Sequence, residues 1–306
     1  MSQRTPVCRL CLAPETEKLG TVPAGDYFAG RVMQRAMAGA TLWRCRACRS
    51  QFKHPVLSPA EYLHLYTSGA ASQWRGSRGR LDLRAVRAIV DRQIGARTIL
   101  DIGCGSGEFL GSLPRNVAKF GIEPSAAADH AAAEGVAVLG GDIAQLPGDA
   151  RFDVVTVIDV VEHIADAAAF LSRAYSHVTK GGILVVASGD PESAAWRRIF
   201  TSRFWYVSFP EHVSFPSAEF YRRWGAQHGA QCITKIAIRY RSLNIWRLPF
   251  DVAMQGAYCL SPPAFDLAGR LAARLRRSPR PHRRHFAPGI PGTFVDHHVV
   301  TINKPR

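Results

Sequence analysis

Thr98-Ile-Leu-Asp-Ile-Gly-Cys-Gly-Ser-Gly107, followed by Glu108-Phe109, decides how the rest of the 306-residue chain is read. A short run with three β-branched residues stops at Ile102, and glycines then stand at positions 103, 105 and 107. Glycines at the carboxyl end of a first strand let a ligand approach the backbone and let the next helix aim its amino terminus at it. A dinucleotide fingerprint would need Gly or Ala at position 108, where this chain has Glu108. Asp101 adds a second carboxylate at the same turn. Two acids repel a pyrophosphate and suit a cationic ligand.

Outward from that turn, strand-like and helix-like runs alternate. Ala118-Lys-Phe-Gly-Ile122, Ala137-Val-Leu139, Phe152-Asp-Val-Val-Thr-Val-Ile158 and Gly182-Ile-Leu-Val-Val-Ala187 read as further strands. Helical patterns lie between them at 107–113, 125–134 and 166–178, and an amphipathic helix over 82–94 carries Leu83, Val86, Ile89/Val90 and Ile94 on one face until Gly95 stops it. Five buried strands with helical crossovers predict an α/β fold with a parallel sheet covered on both faces. A helix over 217–228, a strand over 231–241 and a last strand from Val295 to Ile302 bring the sheet to seven strands, with 244–293 inserted between the last two.

Acids recur where the strands end. Glu123 follows the second strand, 20 residues after Gly103, where a carboxylate accepts hydrogen bonds from both hydroxyls of a ribose. Asp142 and Ile143 follow the third and are placed to read an adenine amino group; Asp159 and Val160 follow the fourth and line the opposite side of the crevice. With Asp101, Gly103, Gly105 and Gly107 they form the expected cofactor set. S-adenosylmethionine carries a sulfonium and an ammonium, so the acids favour it over a nicotinamide.

The amino-terminal part speaks of a metal. Cys8-Arg-Leu-Cys11 and Cys45-Arg-Ala-Cys48 are two C-x-x-C knuckles 33 residues apart, the spacing that wraps four thiolates around one tetrahedral zinc. A stretch this short buries little core, and a metal supplies the missing stability. Cys104, Cys232 and Cys259 stand alone and read as ordinary small residues. The tract Thr67-Ser-Gly-Ala-Ala-Ser-Gln73 reads as a linker, giving a zinc-binding module over 1–72 and a larger domain over 73–306.

Taken together, the glycine motif, Glu123, Asp142 and the phrase Phe152-Asp-Val-Val…Asp159-Val-Val-Glu162-His163 resemble the class I S-adenosylmethionine-dependent methyltransferases. Trp43-Arg-Cys45-Arg-Ala-Cys48…Phe52…Pro55…Ser58-Pro59…Leu65-Tyr66 is similar to a bacterial subgroup with a zinc-binding module ahead of that domain. The resemblance implies a Rossmann-like fold preceded by a small zinc ribbon, with S-adenosylmethionine as cofactor and a structural zinc. It implies methyl transfer to a small-molecule, glycan or lipid-precursor acceptor, with oxygen the expected acceptor atom. Ser188-Gly189-Asp190 and Gly229-Ala230 depart from the subgroup's usual Thr-Pro-Asn and Gly-Phe on the acceptor side.

An alcohol or phenol acceptor must lose a proton, best to a group titrating near neutrality. His212, in Phe209-Pro-Glu211-His212, and His163 are the candidates, with Glu211 placed to orient His212. The aromatic and basic run Trp196-Arg-Arg-Ile-Phe-Thr-Ser-Arg-Phe-Trp-Tyr206 reads as a lid over the acceptor or as core.

Apolar residues make up 47% and charged residues 21%, a globular balance that excludes a disordered or coiled-coil chain. The net charge of +15 is uneven: residues 1–80 hold 12 Lys/Arg against 4 Asp/Glu, 81–238 hold 15 against 17, and 239–306 hold 12 against 3. Basic flanks favour anionic partners. In the insertion Ala264, Leu267, Leu271 and Leu275 share one helical face flanked by Arg270, Arg274 and Arg277, which suits either a packed surface helix or an anionic membrane surface. The basic tract from Arg277 to His285 adds to the same field. With no apolar leader at Met1, the expectation is a cytoplasmic protein, peripheral at most to the inner face of the membrane. Two alternatives stay open: an RNA methyltransferase using the basic flanks and zinc ribbon, and a cofactor-binding protein without catalysis.

Overall fold

The computed structural model describes residues 5–28, 31–67, 79–93, 95–275 and 293–306. The amino-terminal module carries β1 (Thr16–Val22), β2 (Gly25–Phe28), β3 (Arg31–Met37), β4 (Ala40–Cys45), β5 (Gln51–His54) and α1 (Pro59–Thr67). Ser58 caps α1 and Glu61 reaches back to the Ser58 N–H at 2.8 Å, a reciprocal box. Most of the linker and the basic tract over 277–285 lie outside the described residues, as do Ile94 and Arg276.

The larger part runs α2 (Leu81–Asp91), β6 (Thr98–Ile102), α3 (Glu108–Gly111), β7 (Ala118–Ile122), α4 (Ala127–Ala133), β8 (Ala137–Val138), β9 (Phe152–Ile158), α5 (Ala167–Ser176) and β10 (Val178–Gly189). It continues through β11 (Ser214–Phe215), α6 (Ala218–Gln227), β12 (Cys232–Ile238), α7 (Leu248–Leu260), α8 (Pro262–Leu275) and β13 (His297–Asn303). The helix expected over 107–113 shrinks to α3, one turn, because Gly111 and Pro114 cannot extend it.

Seven strands form one sheet in the order β12-β13-β10-β9-β6-β7-β8. β13 runs antiparallel to both its neighbours, while β6, β7, β8, β9 and β10 are mutually parallel. The expected mostly parallel seven-stranded sheet is present. Strand alternation sends Leu100, Val155, Leu184 and Val300 to one face, under α5 and α6, and Ile99, Val154, Val185 and Val299 to the other, under α2. These side chains are fully buried, each contributing about 1.5–3 kcal/mol.

A second sheet has the order β1-β4-β5-β11. Its last strand comes from the larger part of the chain: Ser214 and Phe215 pair with Phe52 and Gln51. Cys8, Trp43, Cys45 and Phe52 also pack in the same cluster as α5, α6 and the main sheet. The amino-terminal module is thus built onto the larger domain by backbone and by core.

The segment 196–206 is core, not lid. Trp196, Phe204, Trp205 and Tyr206 are all buried, packing with Val22, Leu42, Phe215 and Tyr258. Arg197, Arg198 and Ile199 turn outward, while Arg203 reaches the Cys259 carbonyl. The insertion holds the opposite surprise. The α8 face of Ala264, Leu267, Leu271 and Leu275 points to solvent, and the helix buries Pro262 and Asp266 instead. It is therefore not a helix packed through its apolar stripe.

Candidate active site and metal centre

The glycine turn lies at the carboxyl edge of the main sheet. Gly103, Gly105 and Gly107 have φ of +79°, +52° and +79°, a region that favours glycine. At Gly103 a Cβ would come within 2.3 Å of Val160 Cγ2, so glycine is required for the two loops to touch. At Gly105 nothing lies within 4 Å, leaving an open cradle above the backbone.

Glu123 is buried at the end of β7 and clamps this turn. Its Oε2 accepts from the Gly105 N–H at 2.9 Å, while Oε1 accepts from the Ser125 N–H and hydroxyl at 2.9 and 2.5 Å. Oε2 keeps a lone pair for a ligand hydroxyl. Asp101, buried in β6, accepts from Thr156 Oγ1 at 2.7 Å. Burial pushes its carboxyl up to about 7, Thr156 opposing and the nearby Glu123 charge reinforcing. A cation arriving here would restore its ionised form.

Asp142 is exposed and caps the turn Ile143–Gln145, its Oδ1 accepting from the Ala144 N–H at 2.7 Å while Gln145 closes the capping box. Ile143 is buried. Asp159 follows β9 and is paired with a basic side chain. It sits at φ +53° with Oδ2 2.6 Å from Arg80, which also grips Asp82 and stacks on Tyr240 at 4.5 Å. Its Oδ1 is buried with no hydrogen-bond partner. Arg80 was not legible as a site residue, because it is brought here by topology and not by a motif.

Beyond Val160, the turn Val161–His163 meets the loop before β11. The Val213 N–H donates to the Glu162 carbonyl at 2.7 Å, and the Lys53 N–H of β5 donates to the Val213 carbonyl at 2.9 Å. These backbone bonds bring His212 beside His163, rings 4.7 Å apart and nearly perpendicular. The two histidines singled out in the sequence thus stand side by side. The His212 Nδ1 lies 2.9 Å from the Tyr206 carbonyl, and the ring stacks on Phe209. Glu211 is buried within electrostatic reach of Lys53.

Burial lowers both imidazoles, His163 to about 4 and His212 well below its usual value, so both are neutral at physiological pH. His163 Nδ1 meets the Tyr66 hydroxyl at 2.8 Å. Glu162, fully buried, accepts from the Tyr206 hydroxyl through Oε1, and burial together with the Asp159 charge pushes its carboxyl up to about 8. Lys53 is buried with Nζ 2.6 Å from the Phe209 carbonyl, and burial lowers its amine to about 7. Glu162, Lys53 and Tyr66 are site residues that patterning missed, since each reads locally as a core or surface position.

The departures flanking the acceptor side are structural here. Asp190 pairs with Lys235 at 2.9 Å and with His298 at 3.5 Å, while Ser188 Oγ lies 3.2 Å from the other nitrogen of His298.

In the amino-terminal module, the thiols of Cys8, Cys11, Cys45 and Cys48 converge within 4.8 Å of one another. Cys8 Sγ is 3.8 Å from Cys48 Sγ and Cys11 Sγ is 3.5 Å from Cys45 Sγ. Four sulfurs at ~2.3 Å from a tetrahedral ion would stand about 3.8 Å apart. Each knuckle closes identically: Leu12 donates to the Cys8 carbonyl and Arg49 to the Cys45 carbonyl, and both sit at φ +62°. Burial pushes the Cys11 thiol up to about 12, with the neighbouring Cys48 and Cys45 thiols reinforcing.

The family profile described as "Methyltransferase domain" matches residues 74–235, more than half of the chain. The chain belongs to the methyltransferase-domain family. Among relatives, the ubiquinone biosynthesis O-methyltransferase of Azorhizobium caulinodans is 34% identical over 161 residues, covering 44% of this chain and 63% of that protein. The protein of the same name from Rhodopseudomonas palustris strain HaA2 is 37% identical over 103 residues, 29% of this chain and 39% of its own length. The methyltransferase thus spans less than two thirds of the length of these relatives. Similar solved structures include a SAM-dependent methyltransferase, possible histamine N-methyltransferase, from Thermotoga maritima (22% identity, TM-score 0.45, covering 73% of this chain and 87% of that one). Another is a SAM-dependent methyltransferase from Archaeoglobus fulgidus (17% identity, TM-score 0.46, covering 81% and 100%).

Proposed function

We propose that this methyltransferase transfers the methyl group of S-adenosylmethionine to an oxygen of a small-molecule, glycan or lipid-precursor acceptor. The observation that carries the reading is the Glu123-clamped glycine turn with its open cradle at Gly105, flanked by the buried carboxyl of Asp101. Asp101, Gly103, Gly105 and Gly107 would hold the methionine end, Glu123 the ribose, Asp142 and Ile143 the adenine, and Val160 the far wall. The bound cofactor supplies an electrophilic methyl on a sulfonium.

Asp159 serves this site by fixing the loop through Arg80. His163 and His212 stand on the acceptor side, Glu211 behind them. The relatives named O-methyltransferases support oxygen as the acceptor atom. A buried imidazole of low basicity accepts a proton readily only from an acidified hydroxyl, which favours phenols and enols over simple alcohols. Most of the rate then comes from holding oxygen and methyl in line.

The four thiolates of Cys8, Cys11, Cys45 and Cys48 would hold a structural zinc. Among the described residues no helix is long and apolar enough to cross a membrane. The outward apolar stripe of α8, with Trp246 89% exposed before α7 and the excess of Lys and Arg in 239–306, supports docking on an anionic lipid surface.

Titration with S-adenosylmethionine and transfer of its labelled methyl to quinone-precursor, lipid, glycan, small-molecule and RNA fractions test the reading. Glu123→Ala is expected to weaken cofactor binding about 10–100-fold with an unchanged fold, since a buried charged hydrogen-bond partner is lost. Unchanged affinity would remove Glu123 from the site. Label found only in RNA would replace the acceptor class.

A further inference from the structure

We propose that the joint between the amino-terminal module and the larger domain binds a small soluble phosphate ester or diphosphate, gripped by Arg49 and Arg197. The site shares no residue with the cofactor set and stands independently of the O-methylation reading.

A cavity of about 320 Å³ opens where the second cysteine knuckle meets the segment after β10. Arg44, Cys45, Arg46 and Arg49 line one side, and Pro191, Glu192 and Arg197 line the other, so neither part forms it alone. Gln51 fastens the two walls, its Nε2 donating to the Pro191 carbonyl at 3.1 Å. The volume falls at the lower end of the range in which small ligands are held.

Four guanidinium groups share this lining with two carboxylates, Glu17 and Glu192, and both acids are already engaged. Glu17 pairs with Arg44 and, at 3.7 Å, with Arg46. Glu192 meets Lys235 Nζ at 3.2 Å and accepts from the Ala218 N–H at 3.0 Å. Among the described residues the side chains of Arg49 and Arg197 have no carboxylate partner. Both leave from fixed backbone. The Arg49 N–H donates to the Cys45 carbonyl at 3.0 Å, and the Arg197 N–H donates to the Ser193 carbonyl at 2.9 Å.

Four thiolates around a zinc ion would carry a net charge of about −2, and Arg9, within electrostatic reach of Cys8, answers part of it from the first knuckle. The joint therefore keeps cationic donors on two opposed walls. Guanidinium forks match phosphate oxygens in pairs, and a tetrahedral phosphate has oxygens for both forks where a planar carboxylate has two in all. A ligand held from both walls is bound only while the two parts are docked, so its binding stabilises the joint by mass action.

The test titrates pyrophosphate into the full chain, loaded with zinc, by calorimetry at about 0.15 M salt, where fields beyond ~8 Å are screened. About one pyrophosphate per chain is expected, with a higher unfolding temperature. Arg197→Ala and Arg49→Ala should each weaken binding at least tenfold, since a charge-assisted pair is lost. Arg198→Ala should leave it unchanged, because Arg198 is exposed beside Arg197 but does not line the cavity. Zinc content is measured in every variant; if Arg49→Ala loses its metal, Arg197→Ala decides. No saturable binding, or an equal loss in Arg198→Ala, overturns the site in favour of a diffuse basic field. Zinc loss in Arg197→Ala overturns it in favour of arginines that serve the thiolate cluster. Equal stabilisation of Arg197→Ala and the unaltered chain by pyrophosphate overturns the bridging of the two walls. Single-stranded RNA or phosphatidylglycerol vesicles bound more tightly than pyrophosphate, with the same loss in Arg197→Ala, overturn the small ligand.

Discussion

The thiol knot and the cofactor cleft hold their ligands by contrasting means. At the knot, two local turns of four residues each present preformed pairs of sulfurs, and only one long-range meeting is needed. At the cleft, Asp101, Glu123, Asp142 and Val160 come from four strand ends that only the parallel sheet assembles. A site of the first kind stands or falls with its ion; one of the second stands with the sheet and merely loses affinity when a residue is removed.

The largest effect should therefore come from Cys45→Ser. Structural zinc in small modules is worth roughly 10–16 kcal/mol of apparent binding free energy. The variant is expected to lose its zinc by metal analysis and to unfold the amino-terminal module by circular dichroism, with the main sheet retained. Intact folding without metal would make the cluster a set of core thiols.

Next in size is the pH dependence of cofactor binding through Asp101. Its raised carboxyl, about 7 in the folded chain, sits above the unfolded value, so its contribution to stability is full in acid and is lost as pH rises towards 7. A cationic ligand prefers the ionised form. Affinity for S-adenosylmethionine should then fall by about tenfold per pH unit below 7, with proton release on binding. Calorimetry in buffers of different ionisation enthalpy measures this, and Asp101→Asn should flatten the profile. A flat profile in the unaltered protein would place the cation elsewhere.

The smallest effect should come from Leu271→Glu on α8. It adds charge to an already exposed stripe, so unfolding should shift by less than about 0.5 kcal/mol. Flotation with vesicles rich in phosphatidylglycerol should nevertheless drop several-fold, while neutral phosphatidylcholine vesicles bind neither form. Equal flotation of both forms would leave the stripe without a lipid role.

Sequence carried the knot almost entirely, because its information is local: spacing fixes the knuckles. The cleft was legible where strand ends coincide with acids, as at Asp101, Glu123 and Asp142. It was not legible at Asp159, whose partner Arg80 lies 79 positions away and has no pattern of its own. The same reason hid Glu162, Lys53 and Tyr66, which acquire meaning only where the turn after β9, strand β5 and α1 meet. Aromatics over 196–206 left lid and core both open, since a core segment and a lid share one composition. On α8 the periodicity was read correctly, but periodicity does not say whether the apolar side faces inward.

The shared strand pair β5–β11 ties the amino-terminal module to the loop that carries His212. The Lys53 backbone holds the loop that delivers His212, and the Ser217 hydroxyl donates to the Cys48 carbonyl inside the second knuckle. If the four thiols bind zinc as proposed, loss of the metal is expected to slacken the histidine loop without touching the cofactor cleft. Turnover would become a gauge of metal supply, while the methyl donor still bound.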